Sequence, residues 1–347
     1  MYTREIQESR RTPVENGKPL QGTWTKAFEE VDLLSIHRPY PLPLPRAIKS
    51  FRLKEWETFI IQDDRYFLQA RLCNLKYYRT AFVLMYNKET KERVQFSKML
   101  PGGLWQLPRF PDNSSVDSRS LGFFFRTHSW LDAERIMLDL NIRGKRHRAA
   151  LTAHAVFDLA AASTTPIAVS LLFSQRRNMY AYKALTAVRG SVVFGGQHIL
   201  FDPAKTSGMF CDFKGYYPYR MCCTWCSGMG FDEQNRRFGF SLGENQADDP
   251  HRNNENALWI DGRLTPLPEV KITRNAESEW NIQDTEGMVD LVFTPKEPRM
   301  VSRNIIVSSM NYESPMGVFN GTLVSAEGEK LPVNDVWGMS EKLYLRV

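Results

Sequence analysis

Residues 336–347 read VWGMSEKLYLRV and alternate apolar with polar side chains, as a β-strand does. Trp337, Met339, Leu343 and Leu345 share one face of this strand, and Glu341 lies in the middle of that apolar row. An ionised carboxylate is rarely buried without a partner. Glu341 is therefore the first residue at which we expect a functional site.

Short alternating segments of the same kind recur from about residue 50 to the end of the chain. Glycine-containing pairs separate several of them, for example Asp261 with Gly262, and supply the positive φ angles that tight hairpins need. The pattern predicts an all-β protein. We expect one short amphipathic helix over residues 26–36 and no fixed-period repeat.

The chain has 347 residues, enough for two domains or one large barrel. A polar arm is expected over residues 1–38, followed by the proline-rich and extended RPYPLPLPR. A softer division falls in AAASTTPIAV, residues 160–169. We therefore predict a first β-barrel domain over residues 39–173 and a second over residues 174–347.

Composition is that of an ordinary globular protein, with 42% hydrophobic and 24% charged residues and a net charge of +6. The sequence contains no signal peptide and no apolar run long enough for a membrane helix, and its five cysteines suit a reducing compartment, so a cytoplasmic location is expected. The basic run RGKRHR is interpreted as a solvated hairpin tip rather than a nucleic-acid site. The predicted partner is a small molecule, and the oligomeric state stays open.

A second carboxylate follows the pattern of Glu341. In RFGFSLGEN, residues 237–245, Glu244 shares a face with Phe238, Phe240 and Leu242. Inward faces of a barrel point at one cavity, so the two glutamates are hypothesised to converge there as an acid/base pair. The alternative is that one or both lie at strand ends and face solvent.

The densest polar and aromatic stretch is DFKGYYPYRMCCTWCSGMG, residues 212–230. Strand spacing puts Tyr217 and Trp225 on one face and Arg220 on the other, where Arg220 either binds an anion or neutralises a glutamate. Cys223 and Cys226 would point to opposite faces, so we predict neither a metal site nor any other cofactor.

A loop rich in acids and amides follows at DDPHRNNENALWIDG, residues 248–262. His251 stands among turn-forming residues and is interpreted as exposed. Glu255 and Asn256 precede the strand that contains Trp259, and we expect them at the mouth of a barrel. Motifs for nucleotide binding and for serine hydrolases are absent from the sequence.

The chain resembles the family labelled domain of unknown function 2804. The resemblance extends from about residue 38 and rests on PYPLPLP, RLKEWETFII, YAYK, DFKGYYPYR, TWCSGMG, ENALWIDG, FTP, GVFNGTL and WGMSE. It implies paired lipocalin-like barrels of the calycin type, similar to those of carotenoid hydratases. The positions that it identifies as recurring in the family are Lys183, Asp212, Lys214, Gly215, Tyr216, Tyr217, Arg220, Trp225, Glu255, Asn256 and Glu341.

One departure from the family pattern concerns the end of the chain. An acid and a histidine commonly follow the glutamate that matches Glu341, whereas this chain has Lys342 and Leu343. An acid–histidine pair is therefore not expected at this position.

These features lead to a hypothesis of a lyase, of hydratase type, or an isomerase, acting without a metal on a small apolar or polyhydroxylated molecule in the second barrel. Each predicted residue has a role: Glu341 as general acid, Glu244 or Glu255 as general base, Arg220 and Lys214 as polar orienting groups, Trp225, Tyr217 and Trp259 as apolar wall, and Asp212, Asn256 and Lys183 as further ligand contacts. The alternatives are a carrier of a lipid or other hydrophobic small molecule, and a glycoside hydrolase with paired carboxylates.

Overall fold

A computed structural model describes residues 2–76, 79–100, 106–145, 148–174, 176–275, 278–297, 300–305 and 308–346. Arg146 and His147 of the basic run, and Val347 of the last strand, lie outside these residues. The described residues form 26 strands, all paired antiparallel, with one α-helix and one 3-10 helix. The predicted all-β class is confirmed.

The first part of the chain forms a small hairpin and a thirteen-stranded sheet. The hairpin consists of β1 (Val14–Glu15) and β2 (Lys18–Pro19). The sheet consists of β3 (Gly22–Trp24), β4 (Lys54–Gln62), β5 (Tyr66–Asn74), β6 (Arg79–Asn87), β7 (Arg93–Leu100), β8 (Ser114–Ser120), β9 (Phe123–Trp130), β10 (Arg135–Ile142), β11 (Leu151–Asp158), β12 (Ile167–Leu172), β13 (Asn178–Phe194), β14 (Gln197–Phe201) and β15 (Ser207–Gly215). Its main path runs β7-β6-β5-β4-β15-β13-β11-β10-β9-β8, with β12 and β14 also on β13 and β3 on β12.

The rest of the chain forms an eleven-stranded sheet. It consists of β16 (Arg220–Phe231), β17 (Arg237–Glu244), β18 (Ala257–Ile260), β19 (Arg263–Pro266), β20 (Lys271–Arg274), β21 (Trp280–Gln283), β22 (Val289–Glu297), β23 (Met300–Ile305), β24 (Ser308–Glu313), β25 (Met316–Val324) and β26 (Lys330–Arg346). Its main path runs β19-β18-β17-β16-β26-β25-β22-β21-β20, and β24 joins β26 to β23. Both sheets curl into half-barrels, as the paired-barrel prediction requires.

Alternating burial along the strands produces three apolar clusters. The strand β9 is typical, since it buries every second residue. One cluster fills the first half-barrel and contains only residues up to Tyr216, and a second fills the second half-barrel. The third, which we call the seam, draws on both sheets; its members include Trp56, Ile60, Phe67, Met179, Leu185, Met209, Cys211, Phe213, Tyr217, Met221, Cys223, Met229, Trp259, Met316, Met339 and Leu345. The half-barrels therefore pack side by side through the seam.

The N-terminal segment packs against both half-barrels. Tyr2 is buried in the second cluster, whereas Trp24 and Phe28 are buried in the first. The expected helix over residues 26–36 is wrong: only Leu33–Ser35 forms a 3-10 helix, and helix α1 follows at Arg46–Arg52. Here the backbone N–H of Val31 bonds across to another segment instead of along a helix, so tertiary pairing overrides the local pattern.

The change of sheet lies between β15 and β16. Residues 216–219 cross from the first sheet to the second, and β13 to β15 still belong to the first sheet, well beyond residue 173. The division into two domains is kept as a proposal, with this crossing as its structural boundary. No helix in the described part of the chain is long and apolar enough to cross a bilayer.

Candidate functional site

A row of polar side chains crosses four neighbouring strands of the first sheet. Cys211 of β15 lies opposite Lys183 of β13 on one side and opposite Thr58 of β4 on the other. Thr58 in turn lies opposite Arg71 of β5. Directly opposite residues of antiparallel strands share a face. Because Cys211 belongs to the seam, the whole row faces the seam.

A second row faces it from the other sheet. Trp225 of β16 lies between Gly243 of β17 and Glu341 of β26. Trp225 packs against the seam cluster, and so do Met339 and Leu343 on either side of Glu341. The apolar face of the last strand that the sequence predicts is therefore correct, but it is turned toward the other half-barrel and not into its own.

Arg71 and Glu341 form an ion pair between the two sheets. Arg71 Nη2 lies 2.6 Å from one carboxylate oxygen of Glu341 and 2.7 Å from the other. The hydroxyl of Tyr312 also donates to Glu341, and Arg71 Nε donates to Thr58 Oγ1 at 2.9 Å. Charge-assisted bonds of this kind stabilise an ionised carboxylate. Arg71 and Tyr312 therefore hold Glu341 at the contact between the two sheets.

A second ion pair joins Lys183 to Glu255. The Lys183 ammonium lies 3.0 Å from Glu255 Oε2 and donates to Ser241 Oγ at 2.9 Å. The other oxygen, Oε1, accepts the indole N–H of Trp225 at 2.9 Å. The side chains of Lys183 and Glu255 are 1% and 0% exposed, so this pair is fully desolvated. Trp225 thus connects the two carboxylates, since it bonds to Glu255 and is the strand neighbour of Glu341.

The absence of a side chain at Gly243 leaves room for this arrangement. A Cβ at this position would lie 2.9 Å from Trp225 Cδ1 and 3.1 Å from Glu255 Oε1. Contacts that short would displace the indole or the carboxylate.

Aromatic rings form the wall of the seam beside the ion pairs. The rings of Trp56 and Tyr217 stack with centroids 5.1 Å apart, and Trp225 meets Trp56 edge to face at 6.3 Å. Burial raises the pKa of the Tyr217 hydroxyl well above its ordinary value. That hydroxyl has no hydrogen-bond partner among the described residues. It is therefore a neutral donor available at an otherwise apolar wall.

Thiol chemistry is disfavoured at this site. Cys211 lies between the two ion pairs, and burial raises its pKa to about 12. A protonated thiol is a poor nucleophile. Cys223 lies in the seam and Cys226 in the second half-barrel, on opposite faces of β16, as strand spacing predicts.

Six of the residues that the sequence singles out lie in or against the seam: Lys183, Tyr217, Trp225, Glu255, Trp259 and Glu341. Glu244 is not among them. It lies opposite Thr224 and so on the other face of the second sheet, where it pairs with Lys271 and accepts the N–H of Ile272. The expected convergence of Glu244 with Glu341 is wrong, because the two belong to opposite faces of one sheet.

Arg220 and Asn256 lie in other surroundings, and Trp259 makes a hydrogen bond outside the two ion pairs. Arg220 is exposed at the start of β16, opposite Arg346 and away from the glutamates of the seam. Asn256 is buried and bonds to the backbone at Gly243 and Pro268, so it holds the loop before β18. Trp259 lies in the seam cluster, but its indole N–H is donated to Thr165 O.

Asp212 and Lys214 lie inside the first half-barrel. They alternate along β15 with Cys211 and Phe213, which face the seam. The Lys214 ammonium donates to the carbonyl groups of Val31 and Pro108. The DFKG motif therefore contributes to both sides of the first sheet.

Three further residues of interest, Arg71, Tyr312 and Glu57, are not among those predicted from the sequence. Arg71 and Tyr312 carry no local signal, since each is one polar residue in an alternating strand. Glu57 does carry one: in KEWETFIIQ the glutamates 55 and 57 share a face with Phe59 and Ile61, the same pattern that identifies Glu341.

Two solved structures have a fold similar to that of this chain. Kievitone hydratase from Nectria haematococca aligns with a TM-score of 0.51 and 15% identity, over 84% of this chain and 88% of that one. CghA aligns with a TM-score of 0.53 and 10% identity, over 99% of this chain and 97% of that one. At these identities the likeness concerns the fold. No curated protein sequence matches the chain.

The sequence also matches one protein-family model over residues 3–346. That range contains both half-barrels, the crossing between them and every residue of the seam. The chain therefore belongs to the family described as domain of unknown function DUF2804.

Proposed function

We propose that this protein is a lyase of hydratase type, or an isomerase, that moves protons on a small, largely apolar molecule bound in the seam. The observation that carries the proposal is the meeting of Glu341, its partners Arg71 and Tyr312, and the Trp56–Tyr217 stack in one seam. Aromatic rings with a few placed polar groups are the typical lining of small-molecule sites. The resemblance of fold to a hydratase agrees with this class of reaction.

Glu341 and Tyr312 can act together in the addition of water to a double bond. Glu341 takes a proton from water, and the water oxygen bonds to one carbon. Tyr312 gives its proton to the neighbouring carbon, and Glu341 returns a proton to Tyr312 through the hydrogen bond that joins them. The net change is one water added, and both side chains recover their initial state. Arg71 keeps the carboxylate in position throughout.

Lys183, Glu255 and Trp225 have a positioning role in this proposal. Their bonds fix the indole of Trp225 next to Glu341 and beside the ring of Trp56. The interior of the second half-barrel, in which the sequence predicts the ligand, has no part in this reaction.

The main alternative is a carrier protein. It is favoured by the two ion pairs, whose charges are already matched within the protein. A glycoside hydrolase has less support, because Glu341 and Glu255 are each bound by a cation instead of forming an acid and a base that face each other.

The test begins with native mass spectrometry of the purified protein and extraction of any small molecule that copurifies. The molecule is then incubated with wild type, with Glu341→Gln, and with Glu244→Gln as the matched control on the opposite face of the same sheet. We expect wild type and Glu244→Gln to convert it, and Glu341→Gln to be slower by about 10²–10⁴-fold, as for loss of a positioned proton-transfer group.

Three outcomes are decisive. Equal turnover by wild type and Glu341→Gln would remove Glu341 from the reaction. Loss of turnover in Glu244→Gln alone would move the site to the second half-barrel. A molecule that all three proteins bind and leave unchanged would support the carrier.

A further inference from the structure

A second group of buried polar side chains lies inside the first half-barrel. Glu57 of β4 lies directly opposite Asp212 of β15, and the two are 5% and 7% exposed. Directly opposite residues have Cβ atoms about 4.5–5.5 Å apart, so the two carboxyl groups are close neighbours. We call them the carboxyl pair.

The nearby cations are bound elsewhere. The titratable residues around the carboxyl pair are Glu55, Lys214, Tyr180, Tyr182 and Tyr217. Lys76 forms an ion pair with Glu55 at 2.6 Å, and Lys214 donates to two backbone carbonyl groups. Within the described ranges, neither member of the carboxyl pair has a cation within ion-pair distance.

Two polar atoms in this place have no partner among the described residues: Asp212 Oδ1 and the hydroxyl of Tyr180. Tyr180 is fully buried, and its hydroxyl interacts electrostatically with Asp212. Glu57 is better satisfied, since Thr127 Oγ1 donates to its Oε2 at 3.1 Å. Leaving a buried donor and a buried acceptor unpaired is unfavourable, so a ligand that satisfies both is favoured.

Burial and the mutual repulsion of the pair favour a proton on it. Burial, then the Asp212 charge, raises the pKa of Glu57 to about 8, and burial raises the pKa of Asp212 to about 6. Two adjacent carboxyl groups in an apolar core do not both ionise readily.

We propose that Glu57, Asp212 and Tyr180 form a second site, inside the first half-barrel, that holds one proton at neutral pH and binds a hydroxyl group of water or of a small alcohol. The protonated carboxyl and Tyr180 each offer a donor, and Asp212 Oδ1 offers an acceptor. A hydroxyl oxygen accepts two hydrogen bonds and donates one, which matches this set.

This site is separate from the seam. Glu57 alternates along β4 with Trp56 and Thr58, and Asp212 alternates along β15 with Cys211 and Phe213. Those neighbours face the seam, so the two sites lie on opposite faces of the same strands. Failure of the proposed reaction in the seam would leave this inference unaffected.

Infrared spectroscopy at pH 7 tests the proton directly. We expect wild type, the control Glu244→Gln and Asp212→Asn, in which burial alone still favours a proton on Glu57, to show the C=O stretching band of a protonated carboxylic acid, and Glu57→Gln to lose it. A wild-type spectrum without the band, or a band that Glu57→Gln keeps, would overturn the proposal. If a variant fails to fold, a carboxyl-¹³C titration of labelled wild-type protein decides, because a glutamate that is still titrating above pH 7 is required.

The ligand is tested by a high-resolution crystal structure of the wild-type protein. An oxygen atom within hydrogen-bond distance of both Tyr180 Oη and Asp212 Oδ1 is expected, and bound carbon density distinguishes an alcohol from water. A direct hydrogen bond from Tyr180 to Asp212, with no oxygen between them, would contradict this part of the proposal.

Discussion

Removing the charge of Lys183 would leave Glu255 as an isolated ion in the interior. The two side chains are 1% and 0% exposed, so water cannot replace the missing ammonium group. Breaking a buried ion pair from one side typically costs about 3–5 kcal/mol. We therefore expect Lys183→Met to lower the free energy of unfolding by about 3–5 kcal/mol at pH 7, a change of at least about 100-fold in the folding equilibrium constant.

The assay is urea unfolding at pH 7, followed by tryptophan fluorescence and far-ultraviolet circular dichroism. In the double variant Lys183→Met/Glu255→Gln, the glutamine can still accept the Trp225 N–H, so we expect most of the loss to be recovered. The control is Lys271→Met, which breaks an ion pair whose lysine is 74% exposed and should change stability by about 0–1 kcal/mol. A cost for Lys183→Met no larger than that of the control would refute the reasoning.

Three further predictions concern the seam and the carboxyl pair. Gly243→Ala should cost about 1–3 kcal/mol and shift the tryptophan emission, because the new Cβ would collide with Trp225; unfolding and fluorescence measurements check both. Arg71→Lys should lower the free energy of unfolding in urea by about 1–3 kcal/mol, since an ammonium group cannot serve Thr58 and both Glu341 oxygens together. The pKa values of Asp212 and Glu57 are raised in the folded chain, so the folded chain keeps protons that the unfolded chain releases above about pH 4. The resulting stabilisation is complete below about pH 4 and is lost as pH rises through about 6 and 8. Urea unfolding measured across this range should show a flatter pH dependence of the free energy of unfolding for Glu57→Gln than for wild type.

The sequence is sufficient to predict the strands and their faces. The alternation of side chains along a strand correctly puts Trp337, Met339 and Leu345 on the same face as Glu341. It also correctly puts Cys223 and Cys226 on opposite faces. It does not predict which side of a sheet faces the neighbouring sheet. The expected convergence of Glu244 with Glu341 was wrong for this reason, since both apolar faces of β16, β17 and β26 are covered, one by the seam and one by the second half-barrel.

The partners of the site residues depend on long-range pairing. Arg71 is separated from Glu341 by 270 positions, so no local pattern connects them. The helix predicted over residues 26–36 does not form for a related reason, because that segment is held by backbone hydrogen bonds to distant segments. Glu57 is different: its place on an apolar face was visible in the sequence.

The proposed ligand site lies in the seam, outside the interior of either half-barrel. The most direct measurement is a crystal structure of the protein with the small molecule that copurifies with it. We predict electron density for that molecule between the Trp56–Tyr217 stack and the Arg71–Glu341 pair. Density confined to the interior of one half-barrel, with the seam closed on its own side chains, would contradict the account.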